Sequence, residues 1–162
     1  MAKKKCFLSF DYKADNWRVA QVKNIGSIDE QPILPSNDWE QIKKKGDAAI
    51  EQWIADNMKG KDCLVVLVGN QTSGRPWVKY EVKRACENGI GVLGVYIHHL
   101  KDKDGKQAAK GASPFEGVTV SGKAISSYAK MYDPPYSDSK AAYEYIGTKL
   151  ASWVESAIEL RA

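Results

Sequence analysis

The sequence predicts a three-layer α/β sandwich, in which a parallel five-stranded sheet of order 2-1-3-4-5 lies between two layers of helices. Three observations predict it. Apolar strand runs alternate with helical patterns along the chain, and parallel neighbours need helical crossovers between them. Two runs, "DCLVVLVG" (62–69) and "IGVLGVYIH" (90–98), are almost wholly apolar, as central strands buried on both faces must be. A third run, "QPILPS" (31–36), carries Pro32 and Pro35, which confine it to an edge because proline cannot donate to a ladder.

The elements follow in order. "KCFLSF" (5–10) is a short apolar strand, and "DNWRVAQVKNIG" (15–26) is a helix closing at Gly26. After the edge strand at 31–36, a helix opens at "NDWE", where Asn37 and Glu40 have capping-box spacing. Trp39, Ile42, Ala49, Ile50, Trp53 and Ile54 keep helical spacing, so this segment reads as one long helix. The third strand (62–69) leads into "SGRPWVKYEVKRA" (73–85), an amphipathic helix ending at Asn88–Gly89. The fourth strand (90–98) is followed by a polar, glycine-rich loop from Lys101 to about Gly122. "SSYAKMY" (126–132) is the last strand. A closing helix from about Ser137 to Leu160 would bury Tyr143, Ile146, Leu150, Trp153, Val154 and Ala157. No repeat or linker interrupts the pattern, so a single domain over residues 1–162 is expected.

Composition excludes several functions. Apolar content (43%) and charge (27%) are ordinary for a globular protein. The net charge of +4 comes largely from Lys3–Lys5 and Lys43–Lys45, short runs that solvate element ends, so no nucleic-acid partner is expected. No run approaches the roughly 18 apolar residues that span a bilayer, so no membrane partner is expected. The N-terminus passes from lysines straight into a strand, without the pattern of a secretory leader. Cys6, Cys63 and Cys86 lie in apolar elements without metal spacing, as buried thiols in a reducing, cytoplasmic setting would. His98–His99 has no third ligand at suitable spacing. "DKDG" (102–105) has Ser113, not Glu, at the twelfth position of a calcium loop. No metal site is expected.

The strand order is flavodoxin-like, and it places the ligand. In such sheets ligands sit beyond the carboxyl ends of the strands, where the order reverses, here between the first and third strands. Ser9, Phe10, Asp11 and Tyr12 are delivered there, together with Asn70, Gln71 and Thr72. The helix that follows carries Trp77, Val78, Val82 and Ala85 on one apolar arc, and Glu81 falls inside that arc. Either Glu81 extends to solvent and pairs with Arg84, or it faces a cleft. Its neighbours read two ways as well. Trp39 and Trp77 suit ligand stacking or packing, and Phe10 suits the pocket or the core beneath it. Asp11 suits a ribose or a helix cap. Ser9 and Phe10 point to opposite faces, so at most one of their side chains would enter the cleft. Asn70 and Thr72 are turn formers in any case, and Arg75 suits a pyrophosphate or plain solvation.

Five collinear blocks carry a family resemblance: "CFLSFDY" (6–12), "RVAQVKN" (18–24), "DWEQIKKKGDAAI" (38–50), "LVGNQTSGRPWVKYEV" (67–82) and "GVYIHHLKDKDGKQAAKGASPF" (94–115). Over roughly residues 5 to 115 the chain resembles the TIR-like proteins of bacterial Thoeris antiphage systems, relatives of Toll/interleukin-1 receptor domains. The resemblance implies a TIR-like fold and an enzyme that cleaves the nicotinamide–ribose bond of NAD⁺. NAD⁺ would be substrate, with no separate cofactor. The ADP-ribose would be rejoined into a signalling nucleotide that activates a separate effector protein, with a phage protein as trigger and a homo-oligomer as an allowed state. The family's essential glutamate matches Glu81. The Arg-Asp-x-x-Pro-Gly loop of animal TIR domains is missing after the second strand, which argues against receptor-style adaptor signalling. A non-catalytic interaction or phage-sensing scaffold is the alternative. A flavoprotein of the same fold would need a Ser/Thr-rich phosphate loop that does not follow the first strand.

The chemistry is consistent with a single carboxylate. Ordinary glycosidases use two, one of them an acid for the leaving oxygen. The pyridinium of NAD⁺ leaves as neutral nicotinamide and needs no acid. One carboxylate can hold ribose hydroxyls and stabilise positive charge at the anomeric carbon, while Phe10, Tyr12, Trp39 and Trp77 offer aromatic faces to a pyridinium. A dry pocket favours capture by a nucleophile of ADP-ribose itself over water.

Overall fold

The computed structural model describes residues 3–30 and 36–161. Strand β1 (Lys5–Ser9) leads into helix α1 (Tyr12–Lys23), then the short β2 (Asp29–Glu30), α2 (Ser36–Lys44) and α3 (Asp47–Met58). Strand β3 (Cys63–Val68), a 3₁₀ turn (Thr72–Gly74), α4 (Pro76–Glu87) and β4 (Gly91–Tyr96) follow. The chain ends with the small strands β5 (Thr119–Val120) and β6 (Lys123–Ala124), β7 (Lys130–Tyr132) and the long α5 (Ser139–Leu160). The main sheet runs β2-β1-β3-β4-β7 with every neighbouring pair parallel. With β7 as the fifth strand, this is the expected 2-1-3-4-5 order.

Strand alternation divides the core in two. Cys6, Leu8, Cys63, Val65, Leu67, Leu93 and Val95 point to one face and pack with Val19 and Val22 of α1 and Ile146, Leu150 and Val154 of α5. Phe7, Leu64, Val66, Val68 and Val92 point to the other and meet Ile50, Ile54 and Met58 of α3 and Val78, Val82 and Ala85 of α4. β3 is buried at every position. Each such Val or Leu contributes about 1.5–3 kcal/mol relative to exposure, which is why this apolar run can only be a central strand. Gly91 admits α5 closely: a Cβ there would lie 2.9 Å from the backbone carbon of Ala157.

Several boundaries differ from expectation for local reasons. α1 begins three residues early, at Tyr12, because Asp11 caps it, its Oδ1 accepting from the Ala14 N–H. The strand expected at 31–36 falls at 31–35 outside the described residues; the described pairing with β1 is at Asp29–Glu30. The side chain of Asn37 also lies outside them, and α2 already includes Asn37 in its span. The single helix expected over 37–54 is two, because Gly46 takes φ +98°, a left-handed value that breaks the helical run. The loop after β4 contains the β5–β6 hairpin, where Ser121 takes φ 53° and Gly122 φ 78°. The last strand is shortened to Lys130–Tyr132 by a 3₁₀ turn at Ile125–Ser127. Among the described residues, no helix is long and apolar enough to cross a membrane.

Candidate active site

A cavity of about 580 Å³ opens at the order reversal, lined by residues of β1's exit (Phe10–Lys13), of α2 (Trp39, Glu40, Lys43) and of α4's start (Arg75–Val78 and Glu81). Pro76 occupies the first turn of α4, where its fixed φ suits helix entry and its missing N–H costs nothing. The first two turns of α4 therefore present Trp77, Val78 and Glu81 to the hollow rather than to water.

Glu81 is only 7% exposed. Ser9, at the last position of β1, donates its hydroxyl to Glu81 Oε1 at 2.6 Å. Among the described residues no cation pairs with Glu81: Arg84 donates to the Tyr80 hydroxyl at 3.3 Å instead. Burial pushes the Glu81 carboxyl from its ordinary 4.5 up to about 8, against the Ser9 hydrogen bond that favours the ionised form. The resting carboxyl is thus mostly neutral at pH 7, and a cation entering the cavity would be its natural counter-charge.

The other carboxylates near the hollow are already engaged. Asp11 Oδ2 accepts from Arg75 Nε at 2.9 Å, and Arg75 also reaches Gln71 Oε1 at 3.1 Å. Glu40 at the rim accepts from Lys43 Nζ at 3.1 Å. Tyr12 stacks between Phe10 and Trp39, with centroids at 4.4 Å and 5.0 Å, and Trp39 meets Trp53 edge-on. Trp77 packs edge-on against Tyr80. The arrangement thus provides one desolvated carboxyl, an aromatic wall, and cations from Lys13, Lys43 and Arg75 at the mouth.

The opposite flank is closed. Arg18 of α1 is buried and donates from Nε to the Leu100 carbonyl (2.8 Å), from one terminal nitrogen to Asp15 Oδ1 (2.8 Å) and from the other to the Lys106 carbonyl (2.9 Å). Asp102 Oδ1 accepts the N–H groups of Asp104 and Lys106, closing the turn. At Gly111 a Cβ would stand 2.3 Å from the Gly69 carbonyl, so this loop lies directly on the turn after β3.

Of the residues singled out in the sequence, Phe10, Asp11, Tyr12, Trp39, Arg75, Trp77 and Glu81 meet at the cavity. Ser9 does not line it; its hydroxyl is committed to Glu81. Asn70 is exposed and donates to the Ala109 carbonyl, while the buried Thr72 hydroxyl accepts from the Gly69 N–H. Both shape the turn and stand outside the lining. Sequence reasoning missed Lys13, Glu40, Lys43 and Val78. Lys43 lies four residues after Trp39, and Val78 follows Trp77, so helical neighbours of the named aromatics carried the signal. The Asp15–Arg18 pair was missed because an i, i+3 ion pair on a helix resembles surface charge. Among the described residues, no group of three or more His, Cys, Asp or Glu side chains is placed to hold a metal ion.

Comparison with known proteins gives the chain a family. Residues 7–102 match the family model described as "Thoeris protein ThsB, TIR-like domain". A protein of Bacillus cereus (strain MSX-D12) named "Putative cyclic ADP-D-ribose synthase ThsB1" is 32% identical over 118 residues. That match covers 70% of this chain and 62% of the relative's own length.

Proposed function

The chain belongs to the TIR-like domain family of Thoeris ThsB proteins, and from that premise we propose that it cleaves NAD⁺ and recloses the ADP-ribose into a signalling nucleotide. The observation that carries the proposal is Glu81, a buried carboxyl without a cation partner among the described residues, opening on a cavity walled by aromatic rings. The nicotinamide ring enters as a pyridinium and supplies the missing positive charge. Glu81 ionises against it and faces the ribose. The bond between the anomeric carbon and the pyridinium nitrogen breaks, its electron pair leaving with neutral nicotinamide. The oxocarbenium character that develops is stabilised by the carboxylate at low dielectric. A hydroxyl or adenine nitrogen of the same ADP-ribose then bonds to the anomeric carbon, losing its proton where it carries one, and yields a cyclic product. Water in that role yields ADP-ribose instead. Lys13, Lys43 and Arg75 line the mouth where the diphosphate would lie, and the product would reach a separate effector by diffusion.

The test is nicotinamide release from NAD⁺ by the native protein and by Glu81→Gln, with and without extract of phage-infected cells, and mass spectrometry of the nucleotide product. Release by the native protein and loss of at least a hundredfold in Glu81→Gln are expected. Equal release by both, or none by the native protein under any trigger, overturns the proposal.

A further inference from the structure

Ser9 sits at the end of β1, paired in register with Val66 of β3, and is 1% exposed. Its face of the sheet is otherwise apolar: Phe7, Val66, Val68, Val78 and Val82 belong to the same cluster. In that setting its hydroxyl has one polar partner among the described residues, Glu81 Oε1 at 2.6 Å. Glu81 in turn receives no other hydrogen bond among the described residues. The charged groups of the elements around it are engaged elsewhere or stand at the rim. Asp11 and Arg75 pair with each other, Glu40 pairs with Lys43, Lys13 is exposed, and Arg84 bonds Tyr80. A glutamate side chain has three rotatable torsions, and here one contact with a rigid strand fixes its head.

We infer that Ser9 is the positioning residue for Glu81, holding the carboxyl at the cavity wall and stabilising its ionised form. The inference rests on the proposed role of Glu81 in NAD⁺ cleavage. Ser9 acts through Glu81 and not on substrate, so at a pH where Glu81 is ionised its loss lowers kcat and leaves KM nearly unchanged. A hydrogen bond to a charged group accounts for about a ten- to hundredfold change. Because the bond favours the anion, its loss also moves the alkaline rise of activity to higher pH.

The test has two arms on the full chain. Carbon-13 NMR of the Glu81 carboxyl follows its titration in the native protein, Ser9→Ala and Ser9→Thr, and nicotinamide release gives kcat and KM across pH. In Ser9→Ala the Glu81 midpoint should rise by about one pH unit, with kcat down ten- to a hundredfold and KM, compared on the alkaline plateau of both proteins, within about twofold. Ser9→Thr keeps the hydroxyl and should hold the native midpoint. If Ser9→Ala does not fold, Ser9→Cys, a weak donor, should show the same shift in smaller measure. An unmoved midpoint in the hydroxyl-free variants overturns the inference whatever the activity. If the native protein releases no nicotinamide, the proposed function falls, and the titration arm alone decides whether Ser9 governs Glu81.

Discussion

At the scale of the residue, the unusual feature is a carboxyl whose burial opposes the charge its proposed role demands. Raising Glu81 from 4.5 to about 8 represents roughly 5 kcal/mol of ionisation cost. The folded protein therefore binds more protons than the unfolded chain between those two pH values. Glu81's contribution to stability is fully present below the lower one and is lost as pH rises through the upper. Glu81→Gln carries no such charge. Chemical denaturation of native protein and variant should give similar stabilities near pH 5, with the variant more stable by up to about 5 kcal/mol at pH 9. A constant difference across that range would mean that Glu81 ionises freely in solvent. In the proposed reaction the same carboxyl sets the rate: kcat/KM for NAD⁺ should climb with pH to a plateau, with its inflection near the about 8 of the free protein. A rate that is flat from pH 6 to 9 would remove Glu81's anion from the chemistry. Asp15, also held high by burial although Arg18 pulls it down, lowers stability in the same direction as pH rises, equally in both proteins. It leaves the difference between them unchanged.

At the scale of the element, α1 and the loop after β4 form one unit through Arg18. Breaking a buried ion pair from one side leaves its partner desolvated and unpaired. Arg18→Met should therefore cost about 3 kcal/mol and speed hydrogen exchange at Ala108, whose N–H bonds the His98 carbonyl at 2.8 Å. A loss below about 1 kcal/mol would place Arg18 among ordinary surface charges. Gly111→Ala probes the same loop from its other end. With the Gly69 carbonyl 2.3 Å from the added carbon, the turn after β3 must move, at a cost of about 1–3 kcal/mol. Legibility in the sequence follows the same logic. β3 and β4 were legible because burial on both faces forces an unbroken apolar run, and α4 because its arc repeats at helical spacing. The β5–β6 hairpin and the 3₁₀ turn before β7 were not, since two-residue pairings leave no period to read. The break between α2 and α3 turns on one glycine inside a pattern that continues across it.

At the scale of the whole molecule, the two sides of the order reversal are unlike. The loop pinned by Arg18 lies on the turn after β3, while the α2–α4 side opens into the cavity. The topology was legible from strand alternation, and it pointed to the end of the sheet where the cavity opens. It could not tell which turn residues would face the hollow: Asn70 and Thr72 hold the loop, while Lys13 and Lys43 reach the mouth. Those assignments depend on how helices seat on the sheet, which no local pattern records. The proposed binding mode also couples ligand charge to protons. At pH 7 a carboxyl titrating at about 8 is about nine-tenths protonated. On the proposed reading a ligand carrying a pyridinium stabilises the anion, so its binding expels most of one proton and its affinity rises with pH until the free carboxyl is ionised. A non-cleavable carbocyclic analogue of NAD⁺ separates binding from turnover. Calorimetry of its binding at pH 7, in buffers of different ionisation enthalpy, should show release of about 0.5–0.9 proton by the native protein and essentially none by Glu81→Gln. The neutral reduced analogue should release none from either protein. Equal proton release by native protein and variant would trace the proton to another group, and the buried carboxyl would then not be what recognises the ligand's charge.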